Sequence, residues 1–401
     1  MSSAEHLVRH HKLQTDRAIS LAYARLKASP GEQSVFTELL RAARDRTPRL
    51  LTAPLCDGRH AGVEALFNLA RYAGAHIRSI DAWRGSEASW HAAVGALSQH
   101  LVCKYRVPQF LASAWYAVEG PYSDPKRRWF ITHAAGVRFR SLDLPVRMTR
   151  KMEDIFLASD DHLSIEAAMR RAELLALGGS DDFVNAVLKT RAGADLAQAE
   201  FWRTVWQFLI VNGDAIELAQ VGPIVDCVDA IRHEPIAVET PDGIIMRGPL
   251  QPSFSIKGRT PRSMLRLMRD WHQSLATRGE SVSWQPSRLR PLSFEEAGDE
   301  PEATLSWHLT ELTSSAELRA EGAVLHHCVA SYSQRCARGM SQIWSLRVRS
   351  ATRLRSVLTV EVDPRSRAIV QARGLRNCPA SGKARRLLEA WAEREQLSLG
   401  I

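Results

Sequence analysis

The chain has 401 residues, 45% of them hydrophobic and 24% charged, with a formal net charge of +9 at neutral pH. That balance is ordinary for a globular protein, so disorder is not the default reading; the length supports a substantial buried core, with two domains as the prior. Six cysteines, at 56, 103, 227, 328, 336 and 378, form no Cys-x-x-Cys pair, so the pattern is neither a disulfide scaffold nor a zinc ribbon.

The first twelve residues, Met1 to Lys12, contain no apolar core of the kind a signal peptide needs. Nor does any uncharged apolar run reach the roughly 18 residues of a membrane span. The expectation is a cytoplasmic protein with reduced thiols and no membrane partner. Charge is unevenly spread. From Thr304 to Ile401 there are 15 lysines and arginines against 8 acidic residues, so this segment carries +7 and the first 303 residues only +2. A basic segment of this kind suits a polyanion, through phosphate contacts that are salt-dependent and largely blind to sequence. Its bland counterpart is a charged, soluble surface.

Apolar residues at three- and four-residue spacing predict helices over Val35 to Arg46, Gly62 to Ala73, Ser89 to Leu101, Ile165 to Leu177, Asp181 to Arg191 and Leu196 to Val211. Gly178-Gly179 ends one helix, and Ser180-Asp181 caps the next. Tryptophans 90, 115, 129, 202 and 206 fall on or beside the apolar stripes and read as core. Trp202 and Trp206, four apart, share a helix face. In Arg127-Arg128-Trp129-Phe130 the arginines are expected outside and the rings inside. No repeat of 20 to 50 residues holds its register.

Past residue 232 the texture changes. Ile236 to Met246 reads as a hairpin turning on Asp242-Gly243. Thr260 and Pro261 then open a helix through Trp271, with Gly258-Arg259-Thr260 taken as a cap before a phosphate cradle. Residues 278 to 303, rich in Gly, Ser, Pro and Glu, read as a surface connection. Beyond them a helix from about Ser315 is expected to break near Gly322, and a second to run from Val324 to about Arg338. Strands follow near Gln342 to Arg349, Ser356 to Val362 and Ala368 to Arg373, and a helix from Gly382 to Gln396 closes the chain. Strand alternation places Trp344, Leu346 and Val348 on a greasy face, and Arg347 and Arg349 with Ser345 on the other. On that polar side, Arg367, Gln371 and Arg373 are expected to lie together.

Two windows concentrate reactive side chains: His326-His327-Cys328-Val329-Ala330-Ser331-Tyr332, and Gln371-Ala372-Arg373-Gly374-Leu375-Arg376-Asn377. Their arrangement resembles the PcfJ-like family over about residues 317 to 380. The family pattern falls on His327, Cys328, Val329, Tyr332, Gly339, Gln371, Gly374 and Asn377, whereas His326 and Cys336 stand outside it. The resemblance implies association with conjugative plasmids and other mobile elements, and implies no established catalytic activity. The expected fold is α+β: a mostly α-helical domain over 1–232, a hairpin, helix and linker region over 233–303, and a PcfJ-like α-β-β-β-α meander over 304–401.

Three functions compete for these residues. In the first, an accessory protein of a mobile element binds nucleic acid or a nucleoprotein partner through Arg347, Arg349, Arg367, Arg373 and Arg376, with Tyr332, Gly339 and Gly374 as structural supports. Guanidinium forks suit phosphate. In the second, a thiol hydrolase or transferase uses Cys328 as nucleophile, His327 as base, and Gln371 or Asn377 to orient the substrate or stabilise an oxyanion. Neighbouring helical residues diverge by about 100°, which sets His327 poorly for deprotonating Cys328. Every histidine lies at or before position 327, so a partner from beyond the motif is an acid or an amide. The third is a metal site from His327, Cys328, Cys336 and Cys378, whose spacing matches no familiar zinc pattern. No cofactor or metal is expected.

Overall fold

The computed structural model describes the chain except residues 1–2, 54, 57–58, 86–88, 117–121, 241–242, 278–281, 297–304, 326–328, 351–352, 365, 376–377 and 400–401. It has two compact units, Met1–Ala176 with Ala194–Ala197, and Leu177–Gly193 with Gln198–Ile401. Among the described residues, no helix is long and apolar enough to cross a membrane.

The first unit is helical: α1 (Ser3–Arg25), α2 (Pro30–Arg46), α3 (Ala61–Arg71), α4 (Trp90–Val102), α5 (Ser113–Tyr116), α6 (Ser123–Ala134), α7 (Arg150–Leu157) and α8 (Ile165–Ala176), with a small pairing of β1 (Leu55–Cys56) and β2 (Arg59–His60). Local chemistry sets the starts. Pro30 fixes the first turn of α2, and Ser89 caps α4 by accepting from Ala92 N at 3.3 Å. The core is aromatic, with Phe156 against Phe110 and Phe139 at centroid distances of 5.1 and 4.6 Å. Trp129 and Phe130 are buried as expected, but Arg127 is buried too, with Asp124 Oδ1 at 3.5 Å from its guanidinium. Only Arg128 of that pair points outward, because the stripe at this helix start is wider than three- and four-residue spacing indicated.

The second unit opens with α9 (Asp181–Leu188), α10 (Ala199–Val211) and α11 (Leu218–His233). Ser180 caps α9 through Phe183 N at 3.2 Å, and Trp202 and Trp206 stack on one face of α10 with centroids 5.1 Å apart. The predicted hairpin is present as β3 (Ile236–Thr240) and β4 (Gly243–Arg247), with Thr240 facing Gly243 across it. Asp242 itself lies outside the described residues. Helix α12 (Pro261–Thr277) begins as its cap dictates, with Ser263 N donating to Thr260 Oγ1 at 3.2 Å.

The sheet is larger than the expected meander. Its strands are β5 (Leu292–Glu296), β6 (Leu305–Leu312), β7 (Gln342–Arg349), β8 (Leu354–Asp363), β9 (Ala368–Arg373) and β10 (Ser398–Leu399). They lie side by side in the order β10-β9-β8-β7-β6-β5, antiparallel except for β10 against β9. The supposed surface connection thus contains β5. Leu292 and Phe294 there supplied too short an alternation to outweigh the surrounding Pro, Gly and Glu.

Helix α15 (Gly382–Glu395) covers the apolar face: Trp391 and Leu388 pack with Trp344, Leu346, Val360 and Ile369. Helix α13 (Ser315–Leu325) lies on the other face and continues through Gly322 without the expected break. The predicted second helix is not continuous from Val324. Val329–Tyr332 forms a 3-10 turn and α14 (Ser333–Ala337) follows. Val324, placed from the sequence on an apolar stripe, is 53% exposed, whereas Tyr332 and Cys336 are buried with Leu318 and Ile343. Val324 belongs to α13, whereas Tyr332 and Cys336 fall in the 3-10 turn and α14, so the three do not share one helix face.

Candidate functional site

The polar face of the sheet is built around a buried carboxylate. Glu321, on α13, accepts from Ser345 Oγ at 2.7 Å and Thr359 Oγ1 at 3.1 Å through one oxygen. Its other oxygen takes Ser356 Oγ at 3.0 Å and an Nη2 of Arg347 at 3.4 Å. Ser345 and Ser356 come to one centre because the ladder between β7 and β8 shifts register at Leu346/Arg347, pairing Arg347 with Ser356. Arg347, expected on an open platform, is thereby committed to an internal ion pair.

A second cluster surrounds Tyr332. Its hydroxyl donates to Gln371 Oε1 at 3.4 Å, and Gln371 Nε2 donates to the carbonyl of Lys189 at 3.5 Å. The guanidinium carbon of Arg191 lies 4.3 Å from the Tyr332 ring centroid, and that of Arg335 lies 5.8 Å from it. Arg191 Nη1 is held by Glu234 at 2.8 Å. Burial works against the charge on Arg191, but the surrounding Tyr332, Asp226, Glu234 and Glu361 outweigh it and hold its pKa well above the ordinary arginine value. Glu361 accepts from Ser341 Oγ at 2.9 Å and lies 3.8 Å from Arg335. Burial lowers the pKa of Arg373, with Tyr332 acting in the opposite sense.

Of the residues singled out from the sequence, the structure brings Tyr332 and Gln371 into contact. His327, Cys328, Arg376 and Asn377 lie outside the described residues. Gly339 has a φ of 66°, which only a residue without Cβ adopts freely, and it lies two residues past the end of α14. Gly374 donates its N–H to the Cys378 carbonyl at 2.8 Å, and a Cβ on it meets the Val357 carbonyl oxygen at 3.0 Å. Arg367, with a φ of 52°, sits in the turn before β9 and donates to the Glu395 carbonyl. It does not share the side of Gln371 and Arg373, because the β8 and β9 ladder shifts register at Glu361/Val362. Of the proposed metal ligands that are described, Cys336 is buried with its thiol pushed up to about 12 by that burial, and Cys378 is exposed.

Residues 302–387 match the family model described as PcfJ-like protein. The C-terminal segment is a PcfJ-like domain. Searches of curated proteins and of solved structures returned no match. Within this domain, the family-pattern residues that are described serve packing and hydrogen bonding: Tyr332 and Gln371 link α14's approach to β9, Gly339 ends a helix, and Gly374 admits close contact with β8.

The cations left outside these networks gather elsewhere in the PcfJ-like domain, at the end of the β7–β8 hairpin. Arg349 ends β7 opposite Leu354, and Arg355 sits opposite Val348, one residue beyond. Arg349, Arg353 and Arg355 are all exposed, and among the described residues no carboxylate forms an ion pair with any of them. Arg349 was expected from the sequence; Arg353 and Arg355 were not, although Arg353-Leu354-Arg355 just past a turn carried the signal. Glu321 and Arg191 were unexpected as well. A carboxylate among Leu318, Glu321 and Leu325, at helical spacing, marks an acid aimed at the interior. Arg191, far away in sequence, had no local mark.

Proposed function

We propose that the protein binds nucleic acid through the end of the β7–β8 hairpin, as an accessory protein of a mobile element. The observation that carries this reading is the group of Arg349, Arg353 and Arg355, exposed on one short hairpin without carboxylate partners among the described residues. They stand in a segment with a net charge of +7, so no local excess of acid offsets them. Guanidinium groups donate bidentately to phosphate oxygens, and such contacts position a backbone without reading bases. Arg349 and Arg355 pair with residues on opposite faces of the ladder, which lets one strand end touch phosphates on both sides. The mobile-element role rests on the PcfJ-like resemblance, and the Tyr332 and Glu321 networks act as internal supports.

Fluorescence anisotropy with the full chain and labelled duplex or single-stranded oligonucleotides tests the reading. Binding at low salt with little sequence preference is expected, and Arg353→Glu with Arg355→Glu weakens it at least tenfold while the circular dichroism spectrum is kept. Equal affinity in the double variant, or no binding by the parent, overturns it.

A further inference from the structure

In the first unit, the segment after α4 turns outward as Lys104-Tyr105-Arg106, three exposed residues between buried Cys103 and Val107. Hydrogen bonds fix its backbone at both ends. The N–H groups of Lys104 and Tyr105 both donate to the Ala134 carbonyl at the end of α6, at 3.1 and 3.0 Å. Arg78 Nη1 donates to the Cys103 carbonyl at 2.9 Å, and Gln99 Nε2 donates to that of Val107. An aromatic side chain presented from a backbone held in this way loses little freedom on binding.

The Tyr105 ring is 54% exposed. One edge rests on Gly136, where an added Cβ would come within 2.7 Å of the ring carbon Cε2, so the tyrosine lies close against the backbone that follows α6. Lys104 Nζ is 5.4 Å from the ring centroid. Arg106 comes next in the chain, and Arg138 is exposed two residues beyond Gly136. Charge in these segments is of one sign, because residues 99–110 and 131–142 contain no aspartate or glutamate. Among the described residues, no carboxylate forms an ion pair with Lys104, Arg106 or Arg138.

A ring set between cations suits a strand in which bases and phosphates alternate, since bases stack on aromatic faces while phosphates meet ammonium and guanidinium groups. We propose that Lys104-Tyr105-Arg106 is a stacking platform for single-stranded nucleic acid. One unpaired base lies on the Tyr105 ring, the phosphates on either side of it meet Lys104 and Arg106, and Arg138 takes the continuing backbone. The bases of a duplex are already stacked on one another, so the platform favours single strands. It belongs to the first unit and reads a base face, whereas the hairpin arginines touch phosphate alone, so it stands or falls without them.

Fluorescence anisotropy of the full chain with a short labelled oligothymidine, and with a duplex of the same length, tests it. Tyr105→Ala is expected to weaken the single strand about tenfold while keeping the parent's duplex affinity and melting temperature. Tyr105→Trp is expected to bind the single strand as the parent does, because either ring stacks. Made on the Arg353→Glu, Arg355→Glu background, the Tyr105→Ala comparison is expected to give the same ratio. If that hairpin variant binds like the parent while Tyr105→Ala still loses the single strand, the platform is supported and only the hairpin reading fails. Unchanged single-strand affinity in Tyr105→Ala, which leaves the exposed ring to a protein partner, overturns the proposal. So does an equal loss on single strand and duplex, or no binding of the single strand by the parent.

Discussion

Glu321 on α13 accepts the Ser345 hydroxyl of β7 at 2.7 Å, so a helix is fastened to the polar face of the sheet through one buried carboxylate. Three hydroxyls and Arg347 converge on that group. Glu321→Ala leaves these donors without their acceptor and is expected to destabilise the C-terminal unit by about 3 kcal/mol, given roughly 1 to 3 kcal/mol for each unsatisfied buried group and partial rescue by water. Glu321→Gln keeps an acceptor and is expected to cost less. Denaturant unfolding of the two variants beside the parent measures both, and an alanine variant as stable as the parent removes Glu321 from its structural role.

Two glycines of the PcfJ-like pattern are expected to fail for different reasons. Gly339 has open space around an added Cβ but a φ of 66°, so Gly339→Ala costs about 1 to 2 kcal/mol in backbone strain. At Gly374 the obstacle is the Val357 carbonyl oxygen, 3.0 Å from an added Cβ. Gly374→Ser is therefore expected to be worse tolerated than Gly374→Ala, whereas at Gly339 Asn is expected to be the best replacement. Thermal melts of the four variants read out the difference.

His272 gives the protein an acid-sensitive element. Burial lowers its pKa from the ordinary 6.5 to about 4. Below pH 6.5 the unfolded chain takes up a proton that the folded chain refuses until about pH 4. The contribution to stability is therefore complete above 6.5 and is lost as the pH falls toward 4, on the order of 3 kcal/mol in total. His76 and His91, also lowered by burial, act in the same direction. Unfolding free energies at pH 7.5 and 5 are expected to differ less in His272→Phe than in the parent, and an unchanged difference contradicts this origin.

Among Cys103, Cys227, Cys336 and Cys378, thiol chemistry is expected to be confined to Cys378. It is exposed, whereas burial pushes the thiols of Cys103, Cys227 and Cys336 up to about 12. Reagents attack the thiolate, so these three label only on unfolding. Mass spectrometry after brief alkylation of the native protein checks this. Rapid native modification of Cys336 contradicts its place beside Leu318 and Ile343.

Much of the fold was legible because it follows from local pattern. Helices α2, α3, α4 and α8 of the first unit, the capped start at Thr260 and the alternation of Trp344, Leu346 and Val348 each repeat a period that backbone geometry imposes. What was misread depends on long-range partners. The face carrying Ser345 and Arg347 looks like a solvated platform until α13 supplies Glu321 from 24 residues away. Arg367 drops from the same face through a register shift in the ladder, which a strict two-residue alternation does not contain. Tyr332 carried a family signature, but its neighbour Arg191 came from a helical segment with no shared motif.

The salt dependence of nucleic-acid binding tests the central claim most directly. Each phosphate that the protein no longer neutralises is expected to lower the slope of log K against log salt by about 0.9 on duplex DNA. With the full chain, replacing Arg349, Arg353 and Arg355 together by alanine is therefore expected to make the slope shallower by roughly 2 to 3 and to weaken binding at low salt. A slope that is the same in parent and triple variant contradicts the assignment of the hairpin end as the phosphate-binding surface.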